Sequence, residues 1–145
     1  MEFRTRAIHV GNERCRQTGA VVPPLHLAST FVQEEAGKWG EYDYSRSGNP
    51  TRKAFETTLA SLEGGCGALA FASGMAATHA AIGLLRSGDR VVAGCDIYGG
   101  TYRLLHKIAV RAGIRVTLVD TTDPDNLKAE MGDDVAMVWQ VPAIP

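Results

Sequence analysis

From Thr51 onward, hydrophobic and polar positions alternate in blocks of two different periods. Phe55, Leu59 and Leu62 recur at helical spacing, with Thr51 placed to cap the helix just after Pro50 and Gly64-Gly65 to end it. The apolar run Ala68-Leu69-Ala70-Phe71 is too short for a helix and reads as a strand closed by Ser73-Gly74. Met75 to Leu85 then reads as a helix with Ala77, Ala81, Leu84 and Leu85 on one side. Arg90 to Ala93 is the next predicted strand. A helix through Leu104, Leu105, Ile108, Ala109 and Ala112 follows it, stopped by Gly113. Ile114 to Val119 is a further strand, Asn126 to Met131 a short helix, and Val135 to Trp139 a last strand. Strands alternating with helices predict βαβ units and a parallel sheet, an α/β fold.

Residues 1–50 carry no sustained period, and hold Pro23-Pro24 and the polar cluster Tyr44-Ser45-Arg46-Ser47-Gly48-Asn49-Pro50. They read as an N-terminal arm (1–50) preceding an α/β domain (51–145). The last predicted strand lies six residues before Pro145. A parallel sheet has both faces covered, so the expectation is the front part of a larger domain.

Composition narrows the function classes. Fifteen basic and sixteen acidic side chains over 145 residues give a formal charge of −1, with no basic excess to attract nucleic acid or an anionic membrane. Charged side chains are absent between Glu63 and Arg86, but that stretch is Ala- and Gly-rich and is interrupted by Ser73, Gly74, Thr78 and His79. A buried strand, turn and helix account for it better than a membrane span. Cys15, Cys66 and Cys95 form no CxxC pair, and the first residues lack the apolar run of a secretory signal, which points to a reducing cytoplasm. His9, His26, His79 and His106 lack ligand spacing, so no metal site is expected.

Ligands of open parallel sheets bind beyond the carboxyl ends of the strands, where helix N-termini present free N–H groups. Ser73-Gly74-Met75 lies at such a place: Gly74 admits close backbone approach and the helix behind it favours an anion. An ordinary tight turn explains the same residues. Tyr98-Gly99-Gly100-Thr101 follows the next strand, with a ring able to stack on a planar ligand; a half-buried Tyr in a glycine-rich loop is the alternative. In Tyr44-x-Arg46, alternation along an extended segment points a hydroxyl and a guanidinium the same way, toward phosphate oxygens or simply toward water. Neither GxGxxG nor GxxxxGK[ST] occurs, which disfavours a dinucleotide or P-loop site.

Tyr44-Ser45-Arg46-Ser47-Gly48-Asn49-Pro50-Thr51, Ala72-Ser73-Gly74-Met75-Ala76-Ala77 and Asp96-Ile97-Tyr98-Gly99-Gly100-Thr101 stand in the order and spacing of the cystathionine synthase and lyase family. From about Thr5 to Trp139 the chain resembles these pyridoxal-phosphate enzymes of cysteine and methionine metabolism. Thr5-Arg6-Ala7-Ile8-His9, Val22-Pro23-Pro24 and Ser29-Thr30-Phe31 look like its N-terminal region. The resemblance implies an aspartate-aminotransferase-like fold, a small amino-acid substrate, and β- or γ-elimination or replacement on sulfur amino acids or activated homoserine.

It further implies that Ser73, Gly74 and Met75 hold the cofactor phosphate and that Tyr98 stacks on the pyridine ring and assists proton transfer. Tyr44 and Arg46 would reach a neighbouring subunit's phosphate in a homodimer or homotetramer. The family's cofactor-anchoring lysine, in a Ser-x-x-Lys context, matches none of Lys38, Lys53, Lys107 and Lys128. The tail Gln140-Val141-Pro142-Ala143-Ile144-Pro145 departs from the family's Glu-Thr-Pro-x-Asn-Pro, so a truncation or frame change near Trp139 is expected. Two readings stand: a pyridoxal-phosphate lyase or transferase, and a non-catalytic fragment without the anchoring lysine.

Overall fold

A computed structural model describes residues 1–141. Residues 142–145, and with them most of the expected diverged tail, lie outside the described residues. The chain divides into two compact units, Met1–Ala70 and a second beginning at Phe71.

In the first unit, α1 (Phe3–His9) precedes a short antiparallel hairpin of β1 (Gln33–Glu35) and β2 (Lys38–Trp39), and α2 (Pro50–Glu63) follows. The N-cap of α2 is Asn49, not Thr51: its side chain accepts from the Thr51 N–H at 2.9 Å, and Pro50 takes the first helical position, where its missing N–H costs nothing. The Thr51 hydroxyl is thereby free to accept from the His26 N–H at 2.9 Å. Asn49 Nδ2 donates to His26 O at 3.1 Å and Ser45 Oγ at 3.0 Å, while Arg52 donates to the Ser45 and Arg46 carbonyls at 2.9 and 3.2 Å. These bonds fasten both ends of the 26–46 stretch, His26 and Ser45-Arg46, to the start of α2. Arg6 donates to Ser61 O, and Thr58 Oγ1 lies 2.7 Å from Val10 O, so α1 is held to α2 by polar contacts although it buries no residue.

The second unit is a three-stranded parallel sheet in the order β4–β3–β5: β3 (Arg90–Gly94), β4 (Arg115–Val119) and β5 (Val135–Trp139). α3 (Gly74–Ile82) precedes β3, and α5 (Pro124–Glu130) lies between β4 and β5. Between β3 and β4, α4 (Gly99–Arg103) runs into a π-turn over Leu104–Ile108 and a 3-10 turn over Ala109–Ala112, and Gly113 ends it with φ +83°. The widened π-turn rotates the helix face. Leu104, Leu105 and Ala109 are buried as expected, whereas Ile108 and Ala112 turn outward. The core cluster joins Ile82, Val91, Ala93, Leu104, Leu105, Ala109 and Ile114.

Two further expectations fail. Ala68–Phe71 forms no strand, because a strand requires a ladder partner and the Ala70 N–H instead donates to the Glu56 carboxylate at 2.9 Å. Leu69 is 78% exposed. The helix expected to reach Leu85 stops at Ile82 with Gly83 as its cap. It buries Thr78 and Ile82, and leaves Leu84 outside. No helix among the described residues is long and apolar enough to cross a membrane.

Beneath the amino ends of the strands, Arg90 grips Asp134 through Nε and Nη2, both at 3.1 Å, and Glu130 through Nη1 at 3.0 Å. Arg115 reaches Asp134 at 3.0 Å. The hydrogen bonds from Arg90, then the charges of Arg90 and Arg115, hold the Asp134 carboxyl below its ordinary range. A carboxylate with a depressed folded pKa stabilises the fold fully above its unfolded pKa, about 3.9, and loses that contribution as pH falls through the folded value. The melting midpoint is therefore expected to fall on acidification below about pH 4, and Asp134→Asn should flatten that limb. Equal acid dependence of the two proteins in calorimetry would refute the assignment.

Candidate active site

The carboxyl ends of the three strands stand level, with Gly94 opposite Val119 and Ala93 opposite Trp139. At this edge a cavity of about 470 Å³ is lined by Ser73, Gly74, Met75, Thr78, Tyr98, Thr101, Trp139 and Val141. That volume suits a small organic ligand. The three segments reach it for separate reasons. Ser73 caps α3, its side chain accepting from the Ala76 N–H at 3.1 Å, with extended backbone at φ −157°. With that donor satisfied, Gly74 and Met75, the first two residues of α3, present N–H groups that have no acceptor within the helix. Tyr98 ends the loop after β3 and is 67% exposed. Trp139 and Val141 arrive at the end of β5.

Gly100 lets the two sides meet. A Cβ there would lie 2.5 Å from Tyr98 Cε1 and 2.8 Å from Met75 Sδ, so the missing side chain is the space into which ring and thioether fold. The structure thus gathers Ser73, Gly74, Met75 and Tyr98 around one cavity. Sequence reasoning missed Thr78, Thr101, Trp139 and Val141. The rule that ligands sit at the carboxyl ends of strands would have found Trp139, while Thr101 gives no signal beyond its position in the Tyr98-Gly99-Gly100-Thr101 run. Among the described residues no lysine lines this cavity, and no group of three or more His, Cys, Asp or Glu is placed to hold a metal.

Tyr44 and Arg46 lie in the first unit. Arg46 Cζ sits 5.0 Å from the centroid of the Tyr44 ring, and its Nη2 is 3.4 Å from the hydroxyl. The two side chains meet for a different reason from the one expected. Tyr44 bridges Thr30, but residues 45–47 form a turn in which the Ser47 and Gly48 N–H groups donate to Tyr44 O, at 3.0 and 2.9 Å, and this turn rather than strand alternation brings them together. Both are exposed. The outcome is a cation with a phenol beside it, able to meet an anion.

The family model for Cys/Met metabolism PLP-dependent enzymes matches residues 4–142. The chain is 43% identical over 144 residues to a cystathionine beta-lyase of Lactococcus lactis subsp. cremoris (strain MG1363), covering 99% of this chain and 38% of that protein. It is 44% identical over 138 residues to a cystathionine gamma-lyase of Bos taurus, covering 94% of this chain and 34% of that protein. Among solved structures, the cystathionine gamma-lyase from Lactobacillus plantarum complexed with L-serine superposes with a TM-score of 0.89 at 40% identity, over 97% of this chain and 36% of that one. MetB from Corynebacterium glutamicum does so with a TM-score of 0.90 at 39% identity, over 96% and 37%. The chain spans between a third and two fifths of the length of these relatives. With 139 of its residues under the family model and its fold matched at that identity, the chain is a partial α/β large domain of the aspartate-aminotransferase-like fold and belongs to the pyridoxal-phosphate-dependent enzymes of cysteine and methionine metabolism.

Proposed function

We propose that this chain supplies the phosphate cradle and ring platform of an enzyme that carries out β- or γ-elimination or replacement on sulfur amino acids or activated homoserine. The observation that carries the reading is the convergence of the Gly74 and Met75 N–H groups and the Tyr98 ring on one cavity of about 470 Å³. These residues suit the family's cofactor, pyridoxal 5′-phosphate. Two N–H groups at the positive end of α3 meet a phosphate, and an exposed aromatic face meets a pyridine ring. When bound, the cofactor supplies an electron sink for carbanion chemistry.

The chain's own part is to bind and orient. Gly74 and Met75 would donate to the phosphate oxygens, Ser73 keeps the helix start in place by capping it, and Tyr98 would stack on the ring and offer its phenol for proton transfer. Tyr44 and Arg46 serve the phosphate of a neighbouring copy in a homo-oligomer. Since no lysine lines the cavity among the described residues, these residues grip the cofactor by hydrogen bonds and stacking alone. That favours, for the 145 residues taken by themselves, binding without turnover.

Gly74→Pro isolates the decisive contact. Proline at the first helical position keeps the helix and deletes one N–H, the extended backbone of Ser73 accepts a following proline, and nothing lies within 4 Å of the added Cβ. The probe is 4′-deoxypyridoxine 5′-phosphate, which has no aldehyde to react with lysines. Its binding is followed by Trp139 fluorescence in a Trp39→Phe background. Saturable binding is expected, weakened at least about tenfold by Gly74→Pro, the size of a charge-assisted hydrogen bond, at an unchanged melting midpoint. Absence of saturable binding, or equal affinity in the variant, would overturn the reading. Turnover of cystathionine by the purified chain with pyridoxal phosphate would overturn the binding-only part.

A further inference from the structure

Two glycines open α4, Gly99 and Gly100, and neither has a positive φ. Alanine is the better helix former, so backbone conformation gives no reason for glycine at either place. At Gly99 nothing lies within 4 Å of an added Cβ. At Gly100, which is buried, an added Cβ would meet Tyr98 Cε1 at 2.5 Å, Met75 Sδ at 2.8 Å and Tyr98 Cδ1 at 3.0 Å. What excludes a side chain here is therefore one edge of an aromatic ring and a thioether, and no main-chain atom. The Met75 side chain is unbranched and adaptable, and Tyr98, 67% exposed, has open space to turn into. A methyl group at position 100 would be relieved by the ring leaving its seat in the cavity wall, with the helix left intact.

We propose that Gly100 is a positioning residue of this site: by carrying no side chain it seats the Tyr98 ring beside the Met75 thioether, where the ring can stack on a planar ligand. The inference rests on the cofactor reading above and adds to it the element that sets the ring platform against the phosphate cradle. Met75 belongs to both, since its N–H lies in the first turn of α3 and its Sδ crowds the same point as the ring. Gly100 acts only through Tyr98, so its effect belongs to the pyridine part of the ligand and not to the phosphate.

The test is a double-mutant cycle of Gly100→Ala and Tyr98→Ala, with Gly99→Ala as the control. Each protein is read by its affinity for 4′-deoxypyridoxine 5′-phosphate and for inorganic phosphate competing with it. Gly100→Ala and Tyr98→Ala are each expected to weaken the phosphorylated pyridine by about tenfold, the size of a lost aromatic stack. The double variant is expected to bind no more weakly than Tyr98→Ala, because the ring through which Gly100 acts is already gone. Gly99→Ala should match the parent, inorganic phosphate should bind all of them alike, and the ligand-free melting midpoint of Gly100→Ala should stay level. If the parent binds neither ligand, the cofactor reading falls and this inference with it. If the parent binds and Gly100→Ala binds equally well, only the role of Gly100 falls. A further loss on adding Gly100→Ala to Tyr98→Ala, an equal loss in Gly99→Ala, or a loss shared by inorganic phosphate would each overturn the action through the ring. Failure of Gly100→Ala to fold would overturn it too, since the ring would then not be the part that yields.

Discussion

Leu105→Ala is expected to destabilise the second unit by about 2–5 kcal/mol, toward the upper end of that range. Leu105 is fully buried on the π-turn after α4, packed with Val91 and Ala93 of the central strand and with Ile82, Ala109 and Ile114. The cost of truncation depends on how far the surroundings collapse into the space left. Here one wall is β3, whose ladders to β4 on one side and β5 on the other fix its position. The opposite wall is a helix whose register is already set by the wide turn. Neither side can close the gap cheaply. Leu84→Ala is the matched control: the same chemical change on a side chain 81% exposed should stay within about 0.5 kcal/mol. Urea unfolding followed by Trp139, which packs against this cluster, reads both variants. Equal costs would mean that the core lies elsewhere.

That contrast also marks where the sequence was legible. Arg90–Gly94, Arg115–Val119 and Val135–Trp139 are strands because each short apolar run, bounded by polar turns, finds a ladder neighbour. Ala68–Phe71 is likewise a short apolar run, but it lacks the β-branched residues of the three strands and has no such neighbour among the described residues, and apolar pattern alone carries no information about pairing. Leu84 was misread because helical periodicity does not announce its own end, and Gly83 ends α3 one residue before it. The π-turn left no trace in the pattern, since one extra residue in a turn merely shifts which of Ile108 and Ala109 is buried. α1 was missed because it has no buried face to generate a period. The cap of α2 was within reach: Asn followed by Pro fits a cap and first helical position better than Thr51 does. At the cavity, Ser73, Gly74, Met75 and Tyr98 could be singled out because each stands where a helix begins at the carboxyl edge of the sheet. Thr101 and Thr78 were hidden, since a helical threonine that faces a cavity and one that faces solvent are spelled alike.

Gly11→Ala should be the most damaging small substitution in the first unit. Gly11 is buried with φ +78°, and an added Cβ would lie 2.3 Å from Ala54 O, 2.7 Å from Thr58 Oγ1 and 3.1 Å from Thr58 N. Two costs combine. An alanine in the left-handed region costs about 1–2 kcal/mol, and forcing a methyl against a packed wall adds about 1–3 kcal/mol. The first contact is a main-chain carbonyl within α2, which cannot swing aside as a side-chain tip can. Relief requires the segment after α1 to move off α2, breaking the approach of Thr58 Oγ1 to Val10 O at 2.7 Å and straining the Arg6 bond to Ser61 O. Gly37 separates the two costs, because it has φ +79° in the β1–β2 turn with nothing within 4 Å of an added Cβ. Gly37→Ala is expected to lose the backbone term alone, and Gly11→Ala both. Hydrogen exchange of the α2 amides, read by mass spectrometry, should show protection falling markedly in Gly11→Ala and little in Gly37→Ala. Equal protection in the two variants would mean that the close packing of Gly11 against α2 contributes nothing to holding α1 in place.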